Sequence, residues 1–166
     1  MSATIEQHSN TIPEVVIGTQ TWAARNYDFG GTYPNNVESY VTDYGRLYTW
    51  AEAMAIDVPG WHLPSATEMV TTLITYLGGN TVAGGKLKEV GTTYWADPNT
   101  GADNTYGFGA RGSGTDETFF GEFAEFWMSN ESGTDGYVMV IQYNSAAIIS
   151  AWKVKTSRCS VRLIKD

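Results

Sequence analysis

The residues of this 166-residue chain that could do chemistry are two histidines, one cysteine and some clustered carboxylates. His62 lies in "GWHLPSATEM" (Gly60–Met69). As a general base it would need an orienting partner and a substrate proton within reach. The other histidine, His8, sits in a polar N-terminal stretch, and no Ser/His/Asp or Cys/His arrangement is evident. The segment reads better as a turn into a capped helix, with Trp61 and Leu63 in the core and His62 pointing outward or bonded to nearby backbone. Cys159 would need a lowered pKa to act as a nucleophile. Arg158 and Lys155 are near in sequence, but strand alternation sends neighbouring side chains to opposite faces, so an inert thiol is expected. Asp97, Asn99 and Asp103 follow a D-x-N-x-G-x-D spacing that a calcium loop could use. The position of the EF-hand glutamate is Phe108, and Asp and Asn are also the usual turn residues. The turn reading is preferred, and these three remain weak metal candidates. "GGNTVAGGK" lacks P-loop spacing. The expectation is a protein without enzyme activity and without a cofactor.

Binding residues are easier to find. Phe119, Phe120 and Phe123 stand among Glu117, Glu122 and Glu125 in loop-like sequence, and an exposed aromatic cluster rimmed by acids is a contact surface. Further along, Trp152 and Val154 alternate with Lys153 and Lys155, so only one of these pairs can share a flat binding face. The expected contact set is Phe119, Phe120, Phe123, Tyr143, Asn144, Trp152, Ser157 and Arg158, with a protein or a glycan as ligand. Arg46 is assigned a structural role, paired with a carboxylate such as Glu68.

The elements that must position these residues follow from pattern and punctuation. Residues 1–13 are polar and end at Pro13, which suggests a tail or linker ahead of one domain, 14–166. Val15–Ile17 and Gln20–Trp22 flank Gly18-Thr19 as a short hairpin. Residues 27–45 form a loop. Leu47, Trp50, Ala51 and Met54 repeat at helical spacing and predict a first helix. Ser65 and Glu68 form a capping box before a second helix over 66–77, with Met69, Val70, Leu73, Ile74 and Leu77 on its apolar face and Gly78-Gly79 as its stop. Residues 80–121 are rich in Gly, Thr, Asn and Asp and are expected to be irregular; so long a loop is usually functional or pinned by specific contacts. Four strand-like runs close the chain: "EFWMSN", "YVMVIQY", "AAIISAWKV" and "CSVRLIK". The fold class is α+β, with two helices flanking a small antiparallel sheet.

Ten basic against eighteen acidic residues give a net charge of −8, which disfavours nucleic acid and anionic membranes. No apolar stretch is long enough to span a bilayer, and no secretory signal is visible. One cysteine permits no internal disulfide, so the compartment cannot be read from cysteine usage. Nothing in the sequence gives the oligomeric state.

Seven motifs in order, "IGTQTWAARN", "YGRLYTWAEAM", "GWHLPSATEM", "GGKLKEVG", "DNTYGFGARGSG", "EFWMSNES" and "SVRLIKD", make the chain from about residue 14 resemble the Fibrobacter succinogenes major paralogous domain. The resemblance implies a C-type-lectin-like fold, related to the formylglycine-generating sulfatase-modifying domain, with N- and C-terminal strands paired and long loops around the sheet. It implies a binding or display module on a bacterial surface or phage particle, and the same fold hosts the variable proteins of diversity-generating retroelements. A structural spacer is the main alternative. A sulfatase-modifying type of enzyme is the weaker one, because the pair of active-site cysteines is missing. The family commonly ends in "GFSVRCVKD", where this chain has Arg158-Cys159 in place of Gly-Phe; either this member has drifted or the C-terminal strands are where variation is placed.

Overall fold

A computed structural model describes residues 12–116 and 118–166. The expected tail lies outside the described residues as far as position 11, together with His8, and so does Glu117.

The domain starts with β1 (Glu14–Ile17) and β2 (Gln20–Ala23), an antiparallel hairpin turned at Gly18-Thr19 as expected. Residues 24–40 are mostly irregular, with short 3-10 turns at Pro34–Asn36 and Glu38–Tyr40, and lead into α1 (Val41–Tyr44). The first predicted helix needs correction. Leu47 belongs to β3 (Leu47–Tyr48), and the helix α2 spans only Trp50–Met54. Thr49 sets its start: its side chain accepts from the Glu52 N–H, and Glu52 accepts from the Thr49 N–H at 2.8 Å. This rotates the helix so that Ala53 is buried while Ala51 and Met54 face solvent.

After β4 (Trp61–His62) the Ser65–Glu68 capping box forms as expected, with Glu68 accepting from the Ser65 N–H at 2.8 Å. The backbone winds as a π-helix over Thr67–Leu73 and continues as α3 (Ile74–Tyr76). Met69, Leu73, Ile74 and Leu77 are buried, and Gly78 and Gly79 stop the helix at φ 98° and 95°. A further helix, α4 (Asn80–Leu87), stands where irregular chain was expected. Its Gly84 and Gly85 look like breakers in sequence. In the fold they serve close packing: a Cβ on Gly84 would lie 2.6 Å from the Ala147 carbonyl oxygen, and one on Gly85 would collide with Gly101.

The closing strands are β5 (Phe123–Ser132), β6 (Asp135–Gln142), β7 (Ile148–Val154), β8 (Cys159–Ser160) and β9 (Ile164–Lys165). They build two sheets, β1-β2-β9-β4 and β3-β8-β5-β6-β7. Trp22 pairs with Ile164, so the terminal strands of the domain meet as expected. Alternation gives the larger sheet two apolar faces. Phe126, Met128, Met139, Ile141 and Ile148 pack with Met69, Leu73, Leu77 and Leu87 on one side. Trp127, Val138 and Val140 pack with Tyr48, Leu63, Cys159 and Val161 on the other. The class is α+β, with more helical turns than the two predicted helices.

Candidate functional site

β7 is an edge strand of the larger sheet. Its register against β6 puts Trp152 opposite Tyr137 and Val154 opposite Asp135. The Trp152 and Tyr137 rings touch, with centroids 4.6 Å apart. Trp152 is 52% exposed and Val154 48%, on the face opposite Lys153 and Lys155, as alternation predicted. Both lysines are committed elsewhere. Lys153 bonds Glu125 at 2.5 Å and Thr115 at 2.6 Å; Lys155 bonds Glu131 at 2.5 Å and lies over the Trp50 ring. On their side of the strand only Ile149, 48% exposed, offers a large apolar side chain.

The aromatic trio divides. Phe119 is 57% exposed and has φ 55°, a left-handed conformation uncommon for an aromatic residue. It meets the half-buried Phe123 edge-on, with centroids 5.5 Å apart. Phe120 turns away, stacks on Tyr40 at 4.7 Å and packs against Tyr44. It pins the loop to α1. Phe123 alternates along β5 with Glu125 and Trp127, so it belongs to the sheet face opposite Trp152.

The other expected contact residues are also spread out. Tyr143 is half-buried against the first core cluster, and its carbonyl accepts from the Thr100 N–H at 2.7 Å. Asn144 is exposed in the β6–β7 turn. Ser157 closes the turn after β7 by donating its N–H to the Val154 carbonyl. Arg158 is held by Glu52 at 2.8 Å and by Asp116, which accepts from its N–H at 2.5 Å. Trp152, Tyr137 and Val154 therefore form one patch, while Phe119 and Phe123 sit on the other face.

The residues singled out for chemistry have structural tasks. His62 does not bond backbone: its ring nitrogens lie 2.7 Å from Asp166 Oδ1 and 2.9 Å from Glu68 Oε1. Burial pulls its pKa down, but the bonds to Asp166 and Glu68 outweigh this and leave it raised. Glu68 thus serves His62 and its own helix cap. The expected Arg46–Glu68 pair is absent. Arg46 donates to the Asp28 carbonyl at 3.0 Å and covers the Tyr33 ring. Cys159 is buried and donates to Glu125. Burial, then the Glu125 charge, push its thiol well up, opposite to what a nucleophile requires. Of the calcium candidates, Asp103 caps its own turn by accepting from the Thr105 N–H at 2.8 Å, and Asn99 donates to the Glu89 and Gly91 carbonyls. Asp97 is exposed beside Pro98.

Two buried cations were missed in the sequence. The Lys88 ammonium donates to the carbonyls of Thr100, Gln142, Tyr143 and Ser145 at 2.8 to 3.4 Å, which pins the long loop to the β6–β7 turn. Burial pushes it down to about 8. Arg162 donates to Asn26, Ala23 and Phe108, and its guanidinium lies 4.1 Å from the Phe108 ring centre. For Arg162 the signal was a charged residue inside an apolar alternation, Val161-Arg162-Leu163; Lys88, between Leu87 and Glu89, carried none.

The Fibrobacter succinogenes major domain model matches residues 15–165. The chain belongs to that family. The match spans both sheets, from the second residue of β1 to the last residue of β9. No curated protein and no solved structure matches the chain.

Proposed function

We propose that this family member is a non-enzymatic binding module of C-type-lectin-like type, displayed on a bacterial or phage surface, and that it captures a polypeptide along β7. The observation that carries the reading is the Trp152–Tyr137–Val154 patch on a strand whose outer side pairs with no other strand among the described residues. An edge strand presents unpaired backbone groups that an extended chain can bond, and alternate side chains add selectivity. Trp and Tyr are also the side chains that most often anchor interfaces. The pairing of β2 with β9 and the loop-rich build support the lectin-like reading. The upward shift of the Cys159 thiol supports the absence of thiol catalysis. The exposure of Phe119 and Trp152 counts against a plain spacer, for which such aromatics would be covered.

The test is selection of a displayed peptide library on the immobilised domain, with a glycan array as a second arm. Enrichment of extended, alternately apolar peptides supports the reading. Binding confined to the glycan array, or no binding in either arm, overturns it. The finer reading, a variable protein of a diversity-generating retroelement, is supported by the exposure of Asn144 and Ile149. Ile148 and Cys159, which are buried, would have to be excluded from variation. A near-copy template repeat and a reverse transcriptase gene beside this gene bear that reading out; a neighbourhood with neither removes it.

A further inference from the structure

A second, independent feature contains no β7 residue. A cavity of about 220 Å³ is lined by Ala24, Arg25, Asn26, Thr42, Asp43, Glu89, Gly109, Arg111 and Arg162. Three guanidinium groups and two carboxylates line it, in a chain whose net charge is −8. Both carboxylates are already bound by Arg111. Its Nε donates to Glu89 at 2.8 Å, and its Nη1 donates to the Asp43 carbonyl at 2.8 Å and lies 3.3 Å from Asp43 Oδ1. The ring of Tyr94 stacks 3.7 Å beneath the guanidinium and fixes its plane. Arg111 Nη2 has no hydrogen-bond partner among the described residues.

Arg162 is fully buried and has no carboxylate among its partners. It uses four of its five N–H groups: Nε and Nη2 on Asn26 Oδ1, at 3.0 and 2.6 Å, and Nη1 on the Ala23 and Phe108 carbonyls. Burial, and then the charge of Arg111, push its pKa down to about 9. Two guanidiniums therefore repel each other at one cavity and keep donors to spare. An anion with two oxygens is the ligand that satisfies both, one oxygen accepting from Arg111 Nη2 and the other from the remaining Arg162 Nη2 N–H, because charge-assisted hydrogen bonds are the strong ones.

We propose that this cavity binds the carboxylate of a small organic acid, with Arg111 and Arg162 as its donors and Thr42 at its margin. The volume is below that of a typical drug-sized pocket and suits a single small molecule such as a sugar acid. Selectivity follows from the lining: a neutral sugar of the same size brings no charge to set between the two cations, so it gains little.

Isothermal titration of the full chain with sodium glucuronate and with glucose tests this. Saturable binding of glucuronate, at least about tenfold stronger than that of glucose, is expected. Arg111→Gln should abolish it. Since Arg111 also ties Glu89 and Asp43, Thr42→Glu serves as the second variant. Thr42 is exposed on α1, so the fold should hold while the added carboxylate expels the ligand. Trp152→Ala should leave glucuronate binding unchanged, which separates this site from the β7 reading. Equal binding of glucose, absence of glucuronate binding, or undiminished binding in a folded Thr42→Glu variant would overturn the proposal.

Discussion

His62 fastens the C-terminus to a helix start. It joins Asp166, Glu68 and, through Glu68, the N-terminus of the π-wound helix. Its folded pKa is raised, so its contribution is fully present below the ordinary histidine value of about 6.5 and is lost as pH rises through the folded value. The side chain is partly exposed, so solvent screens the effect. The melting temperature of wild type should exceed that of His62→Gln most clearly near pH 6, and the gap should shrink toward pH 8.5. A gap that grows with pH would refute this role. Lys88 and Arg162 work differently. Each is buried among carbonyl and amide oxygens and ties backbone of separate segments together, Lys88 the 100 and 142–145 regions, Arg162 the 23–26 and 108 regions.

At the scale of elements, most of the order was legible. The hairpin, the capped helix over 66–77 and the first three closing strands follow from alternation, capping and Gly punctuation, whereas the fourth run, "CSVRLIK", is split into β8 and β9, which belong to different sheets. What sequence could not show depended on contacts between distant segments. Gly84 and Gly85 read as breakers because their close approach to Ala147 and Gly101 is tertiary. The α2 register was set by the Thr49–Glu52 cap against a competing apolar spacing at Leu47. The aromatic trio was visible, but not its division, since Phe120 leaves for Tyr40 and Tyr44. The cavity was invisible because Arg25, Asp43, Glu89, Arg111 and Arg162 are far apart in the chain.

One element contact makes a sharp prediction. Gly136 of β6 lies beneath Trp50 of α2, whose Nε1 donates to the Met128 carbonyl at 2.9 Å. A Cβ at Gly136 would lie 2.9 Å from Trp50 Cγ, closer than real Cβ contacts. Gly136→Ala should therefore cost about 1–3 kcal/mol of stability, read from the urea midpoint. An unchanged midpoint would show that Trp50 is not seated there.

At the scale of the molecule, the larger sheet is sandwiched between two apolar clusters, and only its β7 margin reaches solvent with large apolar side chains. Helices and the hairpin cover one side, while α2 and residues 56–63 pack against the other. Exposed apolar side chains on an unpaired edge are usually suppressed in soluble domains because they invite association. Their retention here is the basis of the binding reading. The polar cavity lies elsewhere in the lining of the loops, so the two proposals stand or fall separately.

The most direct measurement is a titration of the peptides selected on the wild-type domain against Trp152→Ala. Trp152 touches Tyr137 and is half exposed, so its truncation should leave the fold nearly intact. The account predicts at least about a tenfold loss of affinity, the size expected for an aromatic anchor, with an unchanged circular dichroism spectrum. Equal affinity for both proteins would contradict it.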